Sequence, residues 1–235
     1  MKYMTSFITC LLVSHVLLAD TTPKGWETHS PRDEIRPTFG SQAKGDGAFI
    51  IDAKGKPGAT GMWTKTFAVE GARHYRFFAM RYTSKMDSAR RGAVVRLIWL
   101  NDKGGKVIRD EPSFASYRPG TQPRAEPEFP RARAETRSGW TEVSDVFKAP
   151  KSAVRVRVEL CLRWETHGRV EWKNVSLTPS AAPKPRIARL ATIHFQPRDG
   201  KANAEKCRLF APLIAEAAKK NADFIVLPET LTMYG

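Results

Sequence analysis

Cysteine is scarce, with three residues in 235. Cys10 falls in the leading apolar run, and Cys161 and Cys207 lie in stretches of different sequence grammar. A disulfide framework is therefore excluded as the basis of the fold, which must rest on buried apolar surface. Histidine is sparse too, and His15, His29, His74, His167 and His194 show no metal-ligand spacing, so no metal site and no cofactor is expected. No apolar run approaches the ~20 residues that cross a bilayer comfortably. Helix-turn-helix, zinc-finger and RNP-type signatures are also missing. The formal charge of +15 therefore does not by itself imply nucleic acid. Basic residues alternate with acids nearly everywhere, and even the densest stretch, 118–137, carries Glu126, Glu128 and Glu135. The charge describes a solvated basic surface.

What is present suits a globular protein. A hydrophobic content of 41%, with 10% aromatics, is enough to fill one large core or two ordinary ones. The first twenty residues, MKYMTSFITCLLVSHVLLAD, have Lys2 as a minimal positive region and then an apolar run from Phe7 to Ala19. This reads as a secretory signal peptide over residues 1–19, although Leu17 is larger than the cleavage rule prefers; the alternative is an uncleaved membrane anchor. A secreted or periplasmic location is the expectation.

From Gly25 to Thr178 the apolar period is two. In VRVRVELCLRWE, Val154, Val156, Val158, Leu160, Leu162 and Trp164 point one way, while Arg155, Arg157, Glu159, Cys161, Arg163 and Glu165 point the other. MWTKTFAVEG repeats the theme with Trp63, Phe67 and Val69. RVEWKNVSL changes phase between Trp172 and Val175, which marks Asn174 as a bulge. YRFFAMRY and AVVRLIWL are apolar on both faces and read as central strands, and NDKGGK after Leu100 is a hairpin turn. Short strands spaced by turn signals predict two packed antiparallel sheets, a mainly β sandwich over residues 20–178.

GWTEVSDVFKAPKSAVRVRVELCLRW and GRVEWKNVSLTP together resemble the jelly-roll modules of the galactose-binding-like class, which includes many carbohydrate-binding domains. The resemblance implies fold more than function. Sugar recognition would need exposed aromatic faces, and Trp26, Trp63, Tyr82, Trp99, Trp140, Trp164 and Trp172 are the candidates. Strand phase turns Trp63, Trp164 and Trp172 inward; Trp26 and Trp140 lie nearer strand ends and are less constrained. Glu159, Glu165 and Glu171 alternate with core residues and read as solvated-face glutamates rather than a glycosidase pair. The segment 116–139 holds four prolines without apolar period and reads as a long loop.

After the Pro- and Ala-rich linker 179–186 the grammar switches. IARLATIHF is extended; NAEKCRLFAPLIAEAAKKNAD carries Leu209, Phe210, Leu213, Ile214 and Ala217 on one helical stripe, with Asn203 as N-cap, Asn221 as terminal turn and Pro212 as an interior bend; FIVLPE is a second buried strand. Strand, helix and strand predict a βαβ unit over 187–235, with Glu229 at the carboxyl end of its second strand, where such sheets carry chemistry.

RLATIHFQP and above all NADFIVLPE resemble the opening of the carbon-nitrogen hydrolase (nitrilase and amidase) superfamily, whose members have an α-β-β-α sandwich. The resemblance implies a Glu, Lys and Cys mechanism with Glu229 as the proton acceptor for a thiol attacking a non-peptide amide or nitrile, and a homo-oligomer in the full-length form. Neither a lysine nor a cysteine follows Glu229, so the chain reads as an inactive N-terminal part of such an enzyme. The competing expectation is a binding module in which the sandwich alone works, on a glycan or as a docking domain. A third is acyl transfer to an amine.

Overall fold

Val156, Val158, Leu160 and Leu162 have no exposed surface, as strict alternation on a half-buried strand requires. The computed structural model describes residues 22–42, 47–110, 122–229 and 231; the leading segment read as a signal peptide lies outside them. The chain divides into two compact units, one ending at Ala182 and one beginning at Pro183.

In chain order the first unit contains β1 (Glu27–His29), β2 (Thr38–Gln42), β3 (Ala48–Asp52), β4 (Ala59–Ala68), β5 (His74–Ser84), the short helix α1 (Ala89–Gly92), β6 (Ala93–Leu100), β7 (Arg131–Glu135), β8 (Thr141–Lys148), β9 (Arg155–Glu165) and β10 (Arg169–Ser180). One sheet has the order β1-β4-β9-β6 and the other β2-β3-β10-β5-β8-β7, and every pairing is antiparallel. The expected mainly β, two-sheet architecture is what the chain adopts.

A single core lies between the sheets. Trp63, Val95, Leu97, Trp99 and the β9 stripe face Ile51, Phe77, Ala79, Val170 and Trp172. Trp63 links the layers, because its indole N–H donates to the Ile50 carbonyl at 3.1 Å while its ring meets Phe49 at 5.5 Å and Phe39 at 5.7 Å.

Several strand details depart from the pattern reading. Trp164 is 69% exposed rather than inward: its φ of 58° falls where the β4–β9 register slips between Ala59 and Gly61, and the side chain turns out. Val154 is also exposed, because it precedes the first β9 residue. Trp26 is core, at 4.5 Å from Phe49. The face of β9 expected to be wet buries Glu159 and Cys161. Glu159 accepts from Arg96 Nε at 2.7 Å and Arg157 Nε at 3.0 Å, so its charge is paired rather than solvated. Burial pushes the Cys161 thiol up to about 12, which keeps it protonated and unreactive at neutral pH.

β6 ends its sheet rather than lying centrally, though Leu97 bridges Glu128 and Leu100 bridges Lys106 beyond it. The proline-rich loop hides β7, whose five residues are all exposed and so carry no alternating signal. Asn174 does mark a bulge, with φ 55° and a register shift between Lys173 and Ser176. β10 runs on to Ser180, into the stretch read as linker.

The second unit contains β11 (Leu190–Thr192), α2 (Asn203–Leu209), α3 (Ala211–Lys219) and β12 (Phe224–Val226). β11 and β12 pair in parallel, Leu190 opposite Phe224 and Thr192 opposite Val226. The expected single helix is two: the break falls at Phe210, and Pro212 lies in the first turn of α3, where its missing N–H costs nothing. Ala202, not Asn203, is the N-cap residue, and Asn221 takes the left-handed conformation (φ 57°) that ends the helical stretch. Phe210 is buried edge-on against Phe195 at 5.3 Å. Among the described residues no helix is long and apolar enough to cross a membrane.

Candidate binding face

Alternation along β5 places Tyr75, Phe77 and Ala79 in the core, so Arg76, Phe78, Met80, Tyr82 and Ser84 stand on the opposite, outer face of the six-stranded sheet. Register then fixes their neighbours. Glu171 of β10 lies beside Tyr82, Lys173 beside Met80, and Glu142 of β8 on the other side of Met80. Phe78, Met80 and Tyr82 are half-buried, which makes an apolar stripe on a face that otherwise carries charge.

Trp140 joins this stripe from the turn before β8. Thr136 N–H donates to the Trp140 carbonyl at 2.8 Å, and Gly139 N–H to the Thr136 carbonyl at 3.0 Å, which closes the β7–β8 connection. Gly139 has φ 79°, and a Cβ there would lie 3.1 Å from Tyr82 Cε2, so glycine is needed both for the turn and for the close approach. The turn delivers the indole to Tyr82, with ring centroids 5.7 Å apart and planes inclined at 43°. Lys173 reaches across the sheet to place Nζ 4.4 Å from the Trp140 ring centroid.

The adjacent row is polar. Arg169 donates to Glu171 Oε1 from Nε at 3.1 Å and from Nη2 at 2.9 Å, and its Nη1 lies 3.6 Å from Asp52 Oδ2. Ser84 sits opposite Arg169 in the register. Asp52, Ser84 and Arg169 line a cleft of about 440 Å³ together with Lys54, Lys85 and His167. The aromatic pair thus stands beside a row of fixed donors and acceptors, with Glu171 opposite Tyr82 and Arg169 opposite Ser84. Such a surface can hold a ligand that has one apolar face and hydroxyl edges.

At the far edge of this sheet Asp145 is clamped by Arg131, with Nε at 2.7 Å and Nη2 at 3.0 Å. Those hydrogen bonds hold the carboxyl below its ordinary value, against an opposing effect of partial burial. A depressed folded pKa contributes stability that is present above the unfolded value, about 3.9 for aspartate, and is lost as pH falls through the folded value. Urea titrations at pH 7 and pH 2.5 should therefore show an acid-induced loss that shrinks in Asp145→Asn; an equal loss in both proteins would refute this contribution.

The other sequence candidate lies elsewhere. β12 ends at Val226, Leu227 and Pro228 follow, and Glu229 is exposed in a turn beyond them. It belongs to the second unit, and it makes no hydrogen bond or ion pair among the described residues. No cluster of three or more metal-ligating side chains occurs among the described residues.

No family model and no curated protein matches the chain. Solved structures similar to it include the enzymatically active domain of bacteriophage CBA120 tailspike protein 4, at 13% identity and TM-score 0.48 over 67% of this chain and 20% of that one. Another is the CBM22-1-GH10 module pair of Clostridium thermocellum xylanase 10B, complexed with xylohexaose, at 12% identity and TM-score 0.41 over 88% of this chain and 36% of that one. A third is the C-terminal family 22 carbohydrate-binding module of the same Clostridium thermocellum enzyme, at 9% identity and TM-score 0.42 over 68% of this chain and 89% of that one. Likenesses at this level assign no family.

Sequence reasoning named Tyr82 and Trp140 among seven aromatics but did not bring them together. The available signal was the second apolar face of YRFFAMRY, which a buried central strand and an outward apolar stripe share. Lys173, Arg169, Asp52 and Ser84 carried no signal, because only the register of β3, β10 and β5 makes them neighbours.

Proposed function

We propose that the β-sandwich is a non-catalytic module that binds a glycan on the outer face of its six-stranded sheet. The observation that carries this reading is the Tyr82–Trp140 pair, half-buried on a solvent-facing sheet surface and bordered by Lys173, Glu171 and Arg169. A pyranose ring has an apolar C–H face and a rim of hydroxyls. The aromatic pair matches the first, and the charged row supplies donors and acceptors for the second. Trp140 is the anchor, because a large ring on a rigid turn loses little conformational entropy when it is covered.

The experiment is a glycan-array screen of the chain followed by calorimetry on Trp140→Ala. Loss of a central aromatic anchor costs about 2 kcal/mol or more, so affinity should fall at least ~30-fold. The melting temperature should change little, since Trp140 lies outside the core. A wild-type chain that retains no glycan, or a variant that binds as the wild type does, would overturn the reading.

A second reading concerns the C-terminal unit, and the parallel β11–β12 pair joined through α2 and α3 favours it. In this reading the unit opens a carbon-nitrogen hydrolase domain, and Glu229, just past β12, is the proton acceptor for a thiol supplied by another part of the protein. Leu190, Phe224 and Val226 are all more than half exposed, as strands awaiting a covering layer would be. The test is amide turnover by the product of the complete reading frame with and without Glu229→Gln. Turnover that survives the substitution removes the role.

A further inference from the structure

A second cleft opens between the sheets on the opposite side of β5 from Tyr82. Its volume is about 520 Å³, within the range of about 300–1,000 Å³ that holds small ligands. Arg81 of β5, Ala93 and Val95 of β6, Arg90 of α1 and the Phe129–Pro130 approach to β7 form its walls. No carboxylate is among the described residues that line it.

Arg81 is the unusual group. It is only 8% exposed and lies on the inward-facing alternation of β5. Its Nη1 donates to the Ala93 carbonyl at 2.7 Å and more weakly to the Ala89 carbonyl at 3.3 Å. Those are its hydrogen-bond partners among the described residues, so its Nε and Nη2 are not engaged by any of them. Burial lowers its pKa, and Glu135 opposes this through space without contact, yet a guanidinium remains charged at any ordinary pH. A permanent cation is therefore held in a cleft with two carbonyls and, among the described residues, no counter-ion in contact, an arrangement that an incoming anion would complete.

The surroundings narrow the anion. Arg90 is exposed at the mouth and adds a second cation, whereas Arg131 is already committed to Asp145. Phe129 is 51% exposed, so an aromatic ring is presented beside the two guanidinium groups. We propose that this cleft binds a uronate, a sugar acid whose carboxylate takes the open donors of Arg81 and the charge of Arg90 while its pyranose ring packs on Phe129. The site is independent of the Tyr82–Trp140 face, because Arg81 and Tyr82 point to opposite sides of one strand.

The test is calorimetric titration of the whole chain with galacturonate, glucuronate, galactose and acetate, with amide chemical-shift mapping of the tightest binder. The uronates should bind at least about tenfold more tightly than galactose, the margin expected of one charge-assisted bidentate contact. Shifts should centre on Arg81, Ala93 and Phe129. Arg90→Gln, at an exposed position, should weaken uronate binding several-fold without altering the melting curve; Arg81→Lys should weaken it further, and its own melting curve shows whether the fold persists. Galactose binding as tightly as galacturonate, shifts centred on Tyr82 and Trp140, or an unchanged affinity in Arg90→Gln would each overturn the proposal. Acetate equalling the uronates would show a carboxylate site that does not recognise sugar, and would overturn it as well. Because the two faces report at different residues, failure here leaves the Tyr82–Trp140 reading standing, and the reverse holds.

Discussion

Trp63→Ala is expected to lower the free energy of unfolding by about 3–5 kcal/mol, the usual range for deleting a buried aromatic ring. The side chain is 1% exposed and lies where β4 faces β3. Its removal opens a cavity bordered by Phe39 and Phe49 and leaves the Ile50 carbonyl without the indole donor. Trp63→Phe separates these effects, since it keeps most of the volume and loses the hydrogen bond, worth about 0.5–1.5 kcal/mol. Trp172→Phe is the control. The Trp172 indole N–H is buried without a partner among the described residues, so the smaller ring removes an unsatisfied donor at the same time as volume. Denaturant titrations should rank the losses as Trp63→Ala well above Trp63→Phe, and Trp63→Phe above Trp172→Phe. Equal losses for the two Phe variants would show that the hydrogen bond between the sheets contributes nothing.

Glu159→Ala is expected to destabilise the sandwich by about 3 kcal/mol, near the lower end of the range for breaking a buried ion pair. The carboxylate side chain is only 4% exposed and serves Arg96 and Arg157 together, and those partners are 28% and 42% exposed. Water can therefore reach the arginines after the carboxylate is lost, which moderates the cost. Glu159→Gln keeps the shape and one acceptor oxygen but not the charge, so its loss should be smaller. A triple replacement that also changes Arg96 and Arg157 to apolar residues should recover much of the stability, because the penalty arises from cations left behind rather than from a missing attraction. If Glu159→Ala melts with the wild type, the triad is a surface feature with no energetic role.

The two-sheet architecture could be read from alternation because one face of β9 is uniformly core and a period of two admits little else. The same logic misplaced Trp164, since alternation assumes an unbroken register and the slip between Ala59 and Gly61 lies on the partner strand, β4, remote in sequence. Alternation assigns Glu159 and Cys161 to water because it gives a sheet one dry face; long arginines from β6 and β9 cover that outer surface instead. In the second unit, Pro212 signalled a disturbance, but only capping geometry distinguishes a bent helix from two helices. The candidate face was half legible. Its aromatic members are visible as residue types, whereas its polar row exists only through pairing across three strands that lie far apart in sequence. Glu229 reads in the sequence as a strand-end carboxylate; it lies in an exposed turn three residues beyond the end of β12, and among the described residues no side chain is hydrogen-bonded to it.

The bulge at Asn174 changes the parity of β10. Lys173 and Ser176, three residues apart, face the same side of the sheet, opposite Met80 and Phe78 respectively. Val170 and Trp172 fill the core before the bulge, and Val175 and Leu177 pack against it afterwards. One strand therefore consists of two separately phased segments, and the segment bearing Arg169, Glu171 and Lys173 can change its outward side chains without constraining which residues anchor the remainder. Had Asn174 paired in regular alternation instead of bulging, Leu177 would turn to solvent and Ser176 inward, so the two segments share a core face only because this one residue steps out of the ladder.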